Sequence, residues 1–171
     1  MGTWESSKGG SDEWYTPRYV FDAIGETFDL DVAHPANCKT HVPTHLYYSS
    51  ESLSLPWFGF IWMNPPFGGR GSLSPWLDKF FAHGNGIALT PDRTSAPWFR
   101  DAWDAADLAL FTPKMKFIRD DGTIGGQPSN GTCLWAKGER ARTALIRAAQ
   151  NDLGILAQPI SVTQGRSDLT D

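Results

Sequence analysis

The chain has 171 residues, with 15 basic and 19 acidic side chains and a formal net charge of −4. That length predicts one domain, and a charged share of 20% excludes a self-repelling disordered chain. The acidic balance argues against bulk electrostatic binding of nucleic acid, but is compatible with a local basic patch.

No apolar run approaches the ~18 residues of a membrane span, and residues 1–12 have no apolar signal-peptide core. Cys38 and Cys133 are too few for a disulfide framework. The expectation is a soluble, intracellular, single-domain protein. Eight Trp, four Tyr and ten Phe are many for this size. They suit either a Trp-rich core or stacking surfaces for flat ligands, and composition does not choose between them.

Residues 1–12 read as a flexible arm and 161–171 as a polar tail, leaving 13–160 as the folded domain. Thr16-Pro17 opens a helix through Glu26, with Pro at its first position. Residues 28–33 read as a short strand and 46–49 as a second. Residues 58–63 (FGFIWM) are apolar nearly throughout, as in a strand buried on both faces of a parallel sheet. That run ends at Asn64-Pro65-Pro66. Ser74-Pro75-Trp76 starts a helix to about His83, residues 86–90 form a strand, and Ser95-Ala96-Pro97 caps a helix to about Ala105. Residues 107–111 form the next strand. Residues 114–118 and 132–136 are expected to pair as a hairpin across a Gly-rich loop, placing an antiparallel strand at or near the sheet edge. Residues 139–150 are helical. Alternating strands and helices mean α/β with a mostly parallel sheet.

In open α/β sheets, ligands bind beyond the carboxyl ends of the strands. The segments to inspect are therefore 31–37, 50–53, 64–69, 91–94 and 113–117. The chemistry of Asn64-Pro65-Pro66-Phe67 is the most specific. Asn64 offers an amide oxygen. Pro65 offers a carbonyl with a fixed φ, and Pro66 restricts Pro65 to extended backbone. Phe67 offers a flat face. Two stiff acceptors beside a ring suit a planar amino group such as adenine N6. They would bind its two hydrogens, favour a pyramidal nitrogen and direct its lone pair at an electrophile. A duplex base must be flipped out to reach such a pocket. The competing reading is that Pro-Pro merely ends a strand.

The sequence resembles the phage-type DNA N6-adenine methyltransferase (Dam) family, which uses S-adenosylmethionine. The resemblance covers residues 13–137 and rests on ordered pieces. These are Trp14-Tyr15-Thr16-Pro17, the 28–33 run with Asn37-Cys38, and Glu51-Ser52-Leu53. They continue with Trp57-Phe58-Gly59, residues 61–68, Pro75-Trp76-Leu77, Thr94 with Trp98-Phe99, Lys116-Phe117 and Pro128-Ser129. The resemblance implies a single-domain, Rossmann-like class I methyltransferase fold. It implies methyl transfer to adenine N6 in DNA, with Asn64, Pro65, Pro66 and Phe67 as the catalytic motif. Thr16 and Pro17 would lie near the methionine end of the cofactor, Asp31 and Ala33 at its methionine and ribose portions, and Glu51 at its ribose or adenine.

Phe117 matches an aromatic that stacks on the extruded base in related enzymes, although Lys-Met-Lys-Phe departs from the commoner Gly-Arg-x-x-Phe form. The family also lacks a Gly-x-Gly-x-Gly cofactor loop, as this chain does. Arg70, Lys114, Lys116 and Arg119 are the preferred DNA contacts, because they flank the catalytic loop or Phe117. Arg93 is a further candidate, whereas Lys137, Arg140, Arg142 and Arg147 of the last helix region read as ordinary surface charge. Short loops must carry recognition, which suits a short or relaxed target site. The family association suggests a phage or prophage protein in a bacterial cytoplasm.

Cys38 matches the family pattern, but its grouping with His34, His41 and His45 does not, and the four have types and spacing that could bind zinc. The methyl-transfer chemistry needs no metal, and a His-bearing loop near the cofactor pocket is the preferred reading. Cys38 and Cys133 are expected to be reduced and inert. Other readings stay open: methylation of RNA adenine or of protein glutamine, which use a similar motif, or an inactive nucleic-acid-binding module of the same fold.

Overall fold

A computed structural model describes residues 15–36, 39–68, 71–118, 122–125 and 130–160. The expected arm and tail lie outside these residues, as do Trp14, Asn37, Cys38, Gly69, Arg70, Arg119, Pro128 and Ser129.

Pro17 precedes α1 (Arg18–Ile24), which ends where Gly25 takes φ +66 and returns its N–H to the Phe21 carbonyl. This left-handed stop places the helix end two residues before Glu26. The sheet then begins with β1 (Leu30–Asp31) and β2 (Ile61–Met63). Helix α2 (Ser74–His83) has Pro in its first turn and a left-handed Gly84 at its end. It leads to β3 (Gly86–Pro91). Helix α3 (Pro97–Ala105) starts from an extended Ala96 with no side-chain cap, so Pro97 and not Ser95 marks its start. Strands β4 (Leu108–Thr112) and β5 (Thr132–Lys137), helix α4 (Glu139–Gln150) and β6 (Ile155–Ala157) complete the order.

The six strands form one sheet in the order β1-β2-β3-β5-β4-β6. Strands β1, β2 and β3 are parallel, whereas β5 is antiparallel to both β3 and β4, and β6 is antiparallel to β4. Gly86 pairs with Ile61, and a Cβ there would stand 2.5 Å from the Ile61 carbonyl oxygen, so only glycine fits that register.

The expected hairpin between 114–118 and 132–136 is corrected. Strand β5 lies between β3 and β4, away from the sheet edge. Ile118 instead bridges Tyr15 and Ile124. The reason is burial: β5 is buried along five of its six residues, a pattern that needs neighbours on both sides. The outer strand is β6, which sequence reading did not anticipate. The expected strand at 46–49 is reduced to a bridge between Tyr47 and Asp31, with another between Thr44 and Phe28. Both bridges are parallel, so this segment still extends the sheet beyond β1.

Side chains alternate across the sheet with the period of two that strands impose. Trp62, Ile87, Leu110 and Leu134 face α1 and α4, with Val20, Ile24, Ala144 and Leu145. Ile61, Met63, Ala109 and Trp135 face α2 and α3, with Leu77, Phe80, Phe99 and Ala102. The result is a sheet covered by helices on both faces. Arg140 and Arg147 tie α4 to α1. Both pair with Glu26, at 2.9 and 3.1 Å, and Arg147 also donates to the carbonyls of Ile24 and Gly25. Arg140 lies 4.3 Å from the Phe60 ring centre. Lys137 pairs with Asp107 at 3.0 Å. These three cations are engaged in holding elements together. Among the described residues no helix is long and apolar enough to cross a membrane.

Candidate active site

The carboxyl ends of β1 and β2 open into one cleft of about 340 Å³, within the size of small-molecule sites. Asn64, Pro65, Pro66 and Phe67 leave the end of β2 along one wall. Asp31 and Ala33 come from the end of β1, and Glu51 from a turn further along the chain. Thr16 enters from the start of α1. Pro17 is buried beside Thr16 but does not line the cleft.

Asn64 is half-buried, and its amide Nδ2 donates to the Thr16 hydroxyl at 3.4 Å. That bond turns the NH2 end of the amide towards Thr16 and the oxygen to the other side. Pro65 is buried, Pro66 is exposed, and Phe67 is half-buried against both core clusters. The motif is thus anchored at its ends and rigid in its middle.

Asp31 is only 2% exposed, and burial pushes its carboxyl up to about 7, partly offset by the Ala33 N–H. The Ala33 amide donates to Oδ1 at 3.1 Å. The backbone around Asp31 is fixed on both sides, by Leu46 and Tyr48 and by a bond from the Val32 amide to the Trp62 carbonyl. A carboxylate held in so apolar a setting has unmet affinity for a cationic or hydrogen-donating ligand.

Glu51 has φ +54, a left-handed backbone unusual for a residue with a side chain. Its carbonyl accepts from the Ser54 amide at 2.9 Å and the Ser54 hydroxyl at 2.8 Å, so it starts a tight turn. Such a conformation persists only where neighbouring bonds enforce it.

Phe117 and the expected DNA-contacting residues that the structure describes fall outside the cleft. Phe117 is 4% exposed within the larger core cluster and does not line the cleft, although Ile118 beside it pairs with the cleft residue Tyr15. Lys114 and Lys116 are exposed on either side of buried Met115. Arg93 is exposed, and its guanidinium faces the amide of Asn130. His34 lines the cleft, stacks on Tyr47 with ring centres 4.0 Å apart, and has Nδ1 2.8 Å from the Pro35 carbonyl. Among the described residues no three His, Cys, Asp or Glu side chains gather as a metal site. Cys133 is a buried free thiol, pushed up in pKa by burial and by Asp92.

Sequence reading assigned no role to Tyr15, Tyr48 or Trp76, all of which line the cleft. Tyr15 and Trp76 belong to motifs carrying the family resemblance, which was the available signal. Tyr48 had none.

The sheet and cleft define a mixed α/β protein whose site joins the ends of two parallel strands. The chain belongs to the Dam family, described as DNA N-6-adenine-methyltransferase (Dam), whose model matches residues 5–139. Membership implies adenine methylation with DNA as substrate, and methyltransferases of this kind generally use S-adenosylmethionine. No curated protein and no solved structure matches the chain.

Proposed function

We propose that the protein transfers a methyl group from S-adenosylmethionine to adenine N6 at specific sites in DNA, with residues 13–160 as the methyltransferase domain. One observation carries this reading. The Asn64–Phe67 motif stands in the same cleft as Asp31, Ala33, Thr16 and Glu51. The strand order, with antiparallel β5 between β3 and β4, supports a Rossmann-like methyltransferase fold.

The residues fit the cofactor. Buried Asp31 favours its ammonium, the 31–33 turn supports its methionine portion, and Glu51 accepts from its ribose hydroxyls. Bound S-adenosylmethionine supplies a methyl group made electrophilic by the sulfonium. Thr16 orients Asn64 so that its Oδ1 and the Pro65 carbonyl accept the two N6 hydrogens of an extruded adenine. Those bonds localise the nitrogen lone pair and aim it. Phe67 stacks on the base. Phe117 can join the stack only after the 114–118 segment shifts, because its ring is buried. Arg70, Lys114, Lys116 and Arg119 contact DNA, and short loops select the target. We place the reaction in the cytoplasm of a bacterium carrying phage or prophage DNA.

The test is incubation with labelled S-adenosylmethionine and unmethylated genomic DNA, followed by digestion to nucleosides. Labelled N6-methyladenine is the expected product. Label in RNA or protein but never in DNA overturns the substrate. Absence of cofactor binding overturns the site.

A further inference from the structure

Lys79 lies on α2, one turn beyond the cleft residue Trp76. A helix lysine ordinarily extends into water, but this one turns towards the chain behind the cleft wall. Its Nζ donates to the carbonyls of Ser52 at 3.0 Å, Leu53 at 2.9 Å and Leu55. These three oxygens belong to the turn that Glu51 starts, and they converge on one ammonium. The ammonium also stands 4.7 Å from the centre of the Trp57 ring. Trp57 holds the same turn, because its indole N–H reaches both the carbonyl and the hydroxyl of Ser52, at 2.9 and 3.0 Å. Trp57 in turn stacks on Trp76 with ring centres 6.2 Å apart.

Glu51 holds a disfavoured left-handed backbone at the head of this turn. An isolated turn would relax from it, whereas a cation satisfying three carbonyls at the turn's far end opposes relaxation. We propose that Lys79 is a positioning residue for cofactor binding, which holds the turn from Glu51 to Leu55 so that Glu51 faces the cleft. The same clamp ties the turn to α2, the helix that follows the Asn64–Phe67 loop. The inference rests on the reading of Glu51 as a cofactor contact.

The test is a double-mutant cycle on the full chain, read by calorimetric binding of S-adenosylhomocysteine, with melting curves to verify folding. Glu51→Gln is expected to weaken binding about tenfold, and Lys79→Met, which keeps the aliphatic stem, by a similar factor. The double variant should bind no more weakly than Glu51→Gln alone, because Lys79 acts through Glu51. A folding defect unrelated to Glu51 would instead multiply the two losses, and that overturns the proposal. So does unchanged binding by Lys79→Met while Glu51→Gln is impaired. Unchanged binding by Glu51→Gln removes the underlying reading of the site, and the inference with it. If Lys79→Met does not fold, Trp57→Phe replaces it in the cycle, with the same outcomes.

Discussion

Replacing Asp31 by Asn separates stability from ligand binding. The carboxyl is 2% exposed and has a folded-state pKa of about 7 against an ordinary 3.8. The native state therefore binds more protons than the unfolded state between about pH 4 and pH 7. By linkage, this group's contribution becomes less favourable as pH rises through that window, and the full cost is present above pH 7. The gap from 3.8 to about 7 corresponds to about 4 kcal/mol as an upper bound. Asn keeps the acceptor for the Ala33 amide and removes the charge. The ligand-free variant should gain at least about 2 kcal/mol at pH 8, or about 4–8 °C in Tm, with little gain at pH 4. The same change should weaken S-adenosylmethionine on the order of 100-fold, because a buried charge-assisted contact is lost. Melting curves of both proteins at pH 4, 6 and 8, with calorimetric titration of the cofactor at pH 8, measure both effects. A variant less stable than the parent at pH 8, or one that binds cofactor normally, would refute the reasoning.

Asn64→Ala removes one of two proposed acceptors and should lower kcat at least about 100-fold while calorimetry shows cofactor affinity unchanged. Phe67→Tyr keeps the ring and should retain activity within about threefold, since stacking does not need the para position. Arg147→Met releases the Ile24 and Gly25 carbonyls and leaves Glu26 with Arg140 alone. Urea unfolding should show a loss of about 1–2 kcal/mol, with catalysis unchanged. Replacing Lys114 and Lys116 together by Ala should reduce the salt dependence of DNA binding by about two counterions, with no change in cofactor affinity, as measured by titration at several salt concentrations.

Elements with local punctuation were legible in the sequence. Helix α2 begins at Ser74-Pro75 and stops at Gly84, and both boundaries match. Helix α4 likewise runs over Glu139–Gln150 as expected. The failure at β5 is instructive because the required signal was present. Residues 132–136 carry an apolar run much like the one that ends in β2, and both strands are buried, β2 throughout and β5 along all but its last residue. A hairpin with 114–118 would have left the other edge of such a strand without a partner. Proximity in the chain favoured the hairpin, whereas two-sided burial favoured insertion between β3 and β4. The second cost prevails, because unpaired backbone groups in a sheet interior find no water.

The cleft was legible for a different reason. Asp31 ends β1, Ala33 lies two residues beyond it and Asn64 directly follows β2, so chain order alone brings them to one end of a parallel sheet. Lys79 escaped because its partners lie 24–27 residues upstream, and a helical lysine beside Asp78 reads as ordinary surface charge. Arg140 and Arg147 were read as surface charge for the same reason, yet they bind Glu26 more than 110 residues away in the chain. In each case a long cationic side chain reaches carbonyls that a helix or turn end leaves without intrahelical partners. Their positions follow from the packing of elements and not from any local pattern. Of the two acidic groups in the proposed site, Asp31 is placed by the sheet, whereas Glu51 stands on a turn whose carbonyls Lys79 gathers from a neighbouring helix.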